Sequence, residues 1–400
     1  MLSSLIRRRW PIPVFVLVVV AAIVVGAVAS SGDDGQTLVV YNGRAHYGNE
    51  EVFEEFTEQT GIEVELRGGN GPELFERLRQ EGDDTPADVL VTTDMANLWR
   101  AKDAGLLQPA DTETLRAHIP EGLHDPDGYW WAISTRLRIP VVNTDVIDPA
   151  DVTDYEALGD PQYEGRTCLR TSSNEYNQSL VADMIAKRGE DATRELLESW
   201  MANDPEIIPS DGEMLEVMAA GDCDLGLSNH YYLGRILKED PDFPVAPAWP
   251  DQDGAGAHTN VSGLGIVAGS DDYDLAVQFL EFMTSEAAED HVVEGSEFAA
   301  NPEVAPPEHI ADWADVKKDP IVADEAGPLL EDAVALIEYL TSAEAQEAFT
   351  VGCEFAANSD VPPPAHIADW ADVKTDPIAV NEAGPLLEDA TQLMLDVGWN

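Results

Sequence analysis

The sequence predicts an α/β protein built as two lobes, each around a mostly parallel sheet covered by helices on both faces. Three observations lead there. From Gln36 onward short β-rich runs alternate with amphipathic helices, a βαβ pattern that calls for parallel strands. An extended stretch at residues 130–143, WWAISTRLRIPVVN, interrupts the alternation before it resumes, as a crossover between lobes would. The chain has 400 residues, more than one ordinary core of about 100–200 residues accommodates, and 44% of them are apolar, enough to fill two.

In chain order, residues 37–41 read as a buried strand. Residues 50–60 set Val52, Phe53 and Phe56 on one helical face, and Gly61 supplies a left-handed C-cap. Residues 62–66 form the next strand, a helix from Pro72 carries Leu74, Phe75 and Leu78, and residues 87–93 form a third strand. In the second lobe, strands at 166–171 and 224–228 are separated by helices around 180–187 and 192–201. After a loop at 250–259, a strand at 261–267 returns to the first lobe. The lobes so read are 36–134 with about 255–300, and 135–254 with the C-terminal helices.

Residues 276–332 recur at 333–389, with 35 identities in 57 aligned positions. The blocks HIADWADVKKDPI (309–321) and HIADWADVKTDPI (366–378) differ at one position. A tandem duplication accounts for this, because a solenoid needs at least about three stacked units. One copy is expected to pack natively and the other to be an appendage.

Lys plus Arg number 22 and Asp plus Glu 77, a net charge of −55. A phosphate backbone or an anionic lipid surface needs a basic face, so nucleic acid and such membranes are excluded as partners. Charge of this size repels itself unless dense counterions screen it, and in molar salt the Debye length is about 3 Å. A halophilic source is expected. At the N-terminus Arg7, Arg8 and Arg9 precede an apolar run at 14–28 that ends in Ala27-Val28-Ala29. Residues 1–30 therefore read as an export signal, either cleaved or retained as an anchor, and the protein as periplasmic or cell-surface.

Enzyme signatures are missing from the sequence: no Gly-x-Ser-x-Gly elbow, His-Glu-x-x-His helix, P-loop or Cys-x-x-Cys pair. Ligands of open parallel sheets sit beyond the carboxyl ends of the strands. There stand His46 and Tyr47 after the first strand, Tyr176 after 166–171, and Tyr231 and Tyr232 after 224–228. A single tyrosine in such a place is most often a packed aromatic. Adjacent tyrosines in a strand point to opposite faces, so Tyr231 and Tyr232 reach one point only if the chain leaves the sheet there. Several phenolates with an imidazole suit a hard trivalent metal such as Fe(III), whereas calcium prefers carboxylates and zinc prefers cysteine and histidine.

The segments VYNGRAHYGNEEVFEEFTEQTGIEVEL, TPADVLVTTDMANLWRAKDAGLLQP, RTSSNEYNQSLVA, SNHYYLGRI and HTNVSGLGIV resemble the ferric-iron-binding receptors of ABC importers, in the branch with a His-Tyr pair near the start. The likeness runs from about residue 37 to about 290 and resumes in the second repeat copy. It implies a two-lobed periplasmic-binding-protein fold of type II that closes on Fe(III), no catalysis, and a monomer that hands its cargo to a membrane permease. It also implies the ligands Tyr47, Tyr176, Tyr231 and Tyr232, with His46 as a fifth, and Glu73 as a carboxylate that some relatives would use. His230 and His258 match no ligand. Arg136 and Arg138 on the crossover either balance phenolate charge, hold an anion, or form salt bridges. Cys168 and Cys223 each precede a tyrosine by eight residues, so they are expected to form a disulfide if their strands are parallel neighbours in register. By the chain-entropy account that bond contributes roughly 4 kcal/mol. Cys353 has Ser296 as its counterpart and is expected to stay unpaired. The alternative is a receptor of the same fold for a sugar, polyamine or phosphonate. A secreted hydrolase lacks a recognisable nucleophile and base, and a surface adhesion or storage role is a third reading.

Overall fold

The computed structural model describes residues 36–44, 50–172, 174–320 and 323–340. The proposed signal, His46, Tyr47, Cys353 and the second repeat copy beyond residue 340 lie outside these.

The first lobe runs β1 (Thr37–Asn42), α1 (Glu50–Thr60), β2 (Glu63–Gly68), α2 (Gly71–Glu81), β3 (Val89–Thr92), α3 (Met95–Asp103), β4 (Leu107–Gln108) and α4 (Glu113–His118). β1 pairs in parallel with β2 and β3, as the alternation of strand and helix predicts. α1 forms where the sequence places it because Val52, Phe53 and Phe56 share a stripe that buries completely or nearly so, and Gly61 ends it at φ +75°.

β5 (Trp131–Asn143) crosses to the second lobe and is buried along its whole length. There follow β6 (Thr167–Arg170), α5 (Glu175–Arg188), α6 (Glu190–Ala202), β7 (Glu206–Ile208), α7 (Asp211–Ala220), β8 (Leu225–Asn229), α8 (His230–Glu239) and β9 (Val245–Pro247). β10 (Ala257–Val267) returns and lies antiparallel between β3 and β5. It starts four residues before the sequence expectation. The register shift between Ser262 and Gly263, where Ile133 is the extra residue on β5, sets Gly263 against the Trp131 carbonyl, where an added Cβ would sit 2.6 Å from that oxygen.

The strands form one continuous path, β2-β1-β3-β10-β5-β8-β6-β7. β5 serves both lobes: Trp131 to Leu137 pair with β10, and Arg138 to Val142 pair with β8. The hinge strand thus changes partners between Leu137 and Arg138. Each sheet half is covered on both faces. In β1, Leu38 and Val40 enter one core with Phe56 and Phe279, and Tyr41 enters the other with Leu74 and Leu78. In β6, Leu169 faces the core that holds Leu180, and Cys168 faces the core that holds Met214 and Met218.

Residues 276–332 occupy the fold. α9 (Tyr273–Met283) and α10 (Glu286–Glu294) cover the first lobe, β11 (Phe298–Ala299) pairs with β5, and a 3-10 segment, Glu308–Asp315, buries Ile310 and Trp313 in the second lobe. β12 (Lys318–Pro320) pairs with β10, and α11 (Ala323–Ala326) and α12 (Leu330–Leu340) pack against α5. Gly327 lies against the Trp99 ring of α3, so this last segment straddles both lobes.

Cys168 and Cys223 come together as a disulfide, Cα to Cα 6.0 Å. The register differs from the expectation. Cys168 faces Gly226, an offset of 226 − 168 = 58, where eight-residue spacing would give 223 − 168 = 55. The reason is that Cys223 precedes β8, in the turn that follows the left-handed cap Gly221, and the turn swings its sulfur back to β6.

Candidate metal centre

β6 and β8 are adjacent and parallel, so the helices that follow them start side by side. α5 begins with Glu175 and Tyr176, capped by Asn174, whose side-chain oxygen accepts from the Tyr176 N–H at 3.1 Å. β8 ends at Asn229 and the chain turns at once into α8, so Tyr231 and Tyr232 stand in a first helical turn. Neighbours on a helix are about 100° apart rather than opposed, and both can therefore face one point. Their ring centroids are 4.5 Å apart, tilted by 34°.

Tyr176 is 5% exposed and Tyr231 1%. Burial pushes the Tyr176 hydroxyl up to about 12, opposed by the Arg136 guanidinium; the charges of Glu175 and Tyr232 push it further up, and a hydrogen bond with Tyr231 pulls it down. The Tyr176 hydroxyl therefore feels both members of the Tyr231–Tyr232 pair. Guanidiniums surround them: Arg136 lies 4.8 Å and Arg170 5.6 Å from the Tyr176 ring, and Arg235 lies 4.8 Å from the Tyr231 ring. Arg170, bonded to Asp211, also feels the charge of Tyr232. A cation at the phenol oxygens would find protons to displace and positive charge to hold the resulting phenolates. Among the described residues no three His, Cys, Asp or Glu side chains group to hold a metal.

The other predicted residues have definite places. Arg136 pairs with Asp94 at 3.2 Å and Arg138 with Asp211 at 3.0 Å, so both form the salt bridges that were one of their readings. One Arg136 nitrogen, Nη1, has no hydrogen-bond partner among the described residues. Glu73 is exposed and works as a helix cap: it accepts from the Asn70 N–H at 3.2 Å, while the Asn70 side chain accepts from the Glu73 N–H at 2.9 Å. His230 is fully buried, stacks on Phe298 at 4.5 Å and accepts from the Leu137 N–H at 3.1 Å; burial pushes it down to about 3, so it is neutral. His258 binds Asp183 at 3.1 Å. Arg44, the last described residue before His46 and Tyr47, is buried and ion-paired with Glu297 at 3.0 Å, and it donates to Ser134 on β5 at 3.0 Å. The chain that leads to those two residues is thus pinned to the hinge strand.

Four contributors escape a reading of the sequence. Asp94 caps α3 and also accepts from Ser179 at 2.7 Å and Asn260 at 2.8 Å. Glu175 accepts from Thr93 at 2.6 Å and from Asn97 at 3.3 Å. These bonds join the β3 end of one lobe to the α5 start of the other, beside Tyr176. A cavity of about 260 Å³ lined by Asp94, Asn97, Glu175, Ser179 and Leu330 remains between them. The other two are Arg170 and Arg235. The Asp-Met-Ala-x-Leu-Trp segment carries Asp94, and its capping pattern was the signal available.

Comparison with known proteins adds three likenesses. An iron uptake protein, A1, of Synechocystis sp. is 36% identical over 320 residues, covering 78% of this chain and 88% of the relative. A Trichodesmium protein solved in complex with iron and citrate ligands is 32% identical with a TM-score of 0.70, covering 76% of this chain and 99% of that one. A ferric binding protein from Campylobacter jejuni is 29% identical with a TM-score of 0.71, over 76% and 99%. The fold is accordingly the two-lobed type II arrangement of periplasmic binding proteins. The family profile described as bacterial extracellular solute-binding protein matches residues 51–324, and the chain belongs to that family.

Proposed function

We propose that this protein captures Fe(III) outside the cytoplasm and delivers it to an ABC permease without catalysis. The observation that carries the reading is the meeting of Tyr176, Tyr231 and Tyr232 at two adjacent helix starts, under three guanidiniums. Tyr47 and His46 complete the ligand set, supplied by the loop that Arg44 anchors to the hinge strand. Open lobes offer donors from both sides; the metal joins them and favours the closed state. Arg136 neutralises phenolate charge, and its unpartnered Nη1 suits an anion bound with the metal. The lobes are 36–134 with about 255–300, and 135–254 with the C-terminal helices. Residues 1–30 export the chain, the Cys168–Cys223 bond fits an oxidising compartment, and the acidic surface fits a halophile. The receptor works as a monomer.

Titration of the apoprotein with ferric citrate tests this. A visible phenolate-to-iron charge-transfer band is expected to grow to one iron per chain, and Tyr176→Phe and Tyr231→Phe each to abolish most of it. A colourless complex, or unchanged binding in both variants, would overturn the assignment. Each phenol proton displaced makes affinity at fixed free iron rise about tenfold per pH unit, so binding weakens in acid.

A further inference from the structure

The duplicated segment has a seat in the fold, and the seat is defined by few residues. Glu297 closes on Arg44 and Ser134, Phe298 pairs with Thr135 and stacks on His230, the Asn301 side chain holds the Thr284 carbonyl at 3.0 Å, and Ile310 and Trp313 fill the core under α8. The second copy repeats all five, as Glu354, Phe355, Asn358, Ile367 and Trp370.

α12 shows that the two copies are also joined in a way that permits exchange. Its first residues, Leu330 to Asp332, end copy one, and from Ala333 it is the opening of copy two. The counterparts of Leu336 and Ile337 are Phe279 and Leu280 of α9. Those two pack the first lobe, with Phe279 against Phe53 and Phe56, whereas Leu336 and Ile337 pack the second lobe. One sequence pattern thus serves two docking surfaces. Residues 387–397, LEDATQLMLDV, repeat the start of α12 and continue with Leu393 and Met394 where α12 has Leu336 and Ile337.

We propose that the chain has two threadings, in which residues 333–389 take the seat now held by 276–332 and residues 387–397 replace α12. Both threadings leave β10 through Leu275 and finish in the same helix position. The displaced copy becomes a 57-residue loop whose ends lie together, and loop cost rises only with the logarithm of length. The differing residues fit the same site. Phe349 stands for Val292, and its larger ring is offset by Ala348 in place of His291 and Leu340 in place of Met283, both of which border the same small cavity as Val292. Gln346 stands for Glu289, a buried carboxyl with one oxygen lacking a partner among the described residues. Cys353 stands for Ser296, whose hydroxyl meets His309 at 2.9 Å; the second copy keeps that histidine as His366.

Three full-length variants test the exchange in the metal-free protein, so the outcome does not depend on what the receptor binds: Phe298→Asp, Phe355→Asp, and both together. Each single variant is expected to melt cooperatively within a few degrees of the parent, and the double variant to lose its transition. In Phe298→Asp the Cys353 thiol, entering the buried Ser296 position, should react with a thiol reagent at least about tenfold more slowly than in Phe355→Asp. Deleting 276–332 should leave a cooperatively folded chain with Cys353 protected. The proposal fails if Phe298→Asp unfolds as fully as the double variant, if Cys353 reacts equally in both single variants, or if Phe298→Asp survives only as a dimer, with the seat filled from another molecule.

Discussion

Arg136 and Arg138 stand two residues apart on β5, on the same face of one strand, and their surroundings could hardly differ more. Arg138 is saturated: Nη1 donates to Asp211 at 3.0 Å and Asn229 at 3.1 Å, Nε and Nη2 both donate to Asn177, and Nη2 reaches the Leu227 carbonyl. Asp211 binds Arg170 as well, and every partner belongs to the second lobe. Among the described residues Arg136 makes one ion pair, with Asp94 of the first lobe, and leaves Nη1 without a partner; it lies over the Tyr176 ring. A buried charge with all its hydrogen bonds made holds a lobe together; one with a bond to spare, between lobes and beside phenols, is placed to respond when a ligand arrives. The boundary falls where β5 changes pairing partners, between Leu137 and Arg138.

The largest effect should come from the saturated side. Arg138→Met leaves Asp211 buried with only Arg170, and removing one member of a buried ion network costs about 3–5 kcal/mol. In a chain of this size, with an unfolding entropy of about 2.1 cal/mol/K per residue, the melting temperature should fall by roughly five degrees, with iron affinity per folded molecule little changed. Arg136→Met adds a second consequence. Asp94 keeps Ser179, Asn260 and the Ala96 N–H but loses its cation, so a loss of stability of the same order is expected, while loss of the charge over Tyr176 also weakens iron binding about tenfold, or about 1.4 kcal/mol. Calorimetry with a ferric citrate titration on each variant decides; an equal loss of iron affinity in both would erase the distinction.

The pH response sharpens the same contrast. Burial raises Asp94 to about 6, against the pull of Arg136, with Glu175 adding to the rise. The folded protein therefore keeps a proton that the unfolded chain has lost between about pH 4 and 6. Stability from this group is complete below that window and declines as pH rises through it, by at most about 1.4 kcal/mol per pH unit. Asp94→Asn should flatten this part of the stability curve in urea melts from pH 4 to 7. A parent curve that rises as steeply as that of Asp94→Asn would show that Asp94 does not hold the proton.

The sequence makes some of this legible and hides the rest for physical reasons. Val52, Phe53 and Phe56 announce α1 because a stripe of large apolar residues has one place to go, and the tyrosine pair announces a chain leaving the sheet because a strand would separate the rings. α7 carried its own signals, a Ser210 cap bonded to the Glu213 N–H and a left-handed Gly221 at φ +87°, which the apolar pattern alone does not show. β4, β7, β9, β11 and β12 have two or three residues each and no periodicity to read; they exist because a neighbouring strand offers them bonds. Asp94 and Asp211 are two among 77 acidic residues, alike in sequence and set apart only by the arginine each meets in space.

The smallest effect tests whether the interlobe bonds beside Tyr176 hold the closed form. Glu175 takes both Thr93 and Asn97 through a charged carboxylate at a helix N-terminus, where negative charge is favoured. Glu175→Gln keeps the Thr93 bond but sets an amide N–H₂ against the Asn97 N–H₂, so one bond is lost and the other weakens. The same change removes a negative charge that raises the Tyr176 hydroxyl, which favours the phenolate and hence the metal. The two consequences oppose each other in affinity and separate in kinetics. Loss of the latch should increase the radius of gyration of the metal-free protein by small-angle scattering and speed iron release by about two- to fivefold, a difference below about 1 kcal/mol. If release slows and the radius stays the same, the charge beside Tyr176 outweighs the latch, and the bonds of Asp94 to Ser179 and Arg136 hold the lobes at this point.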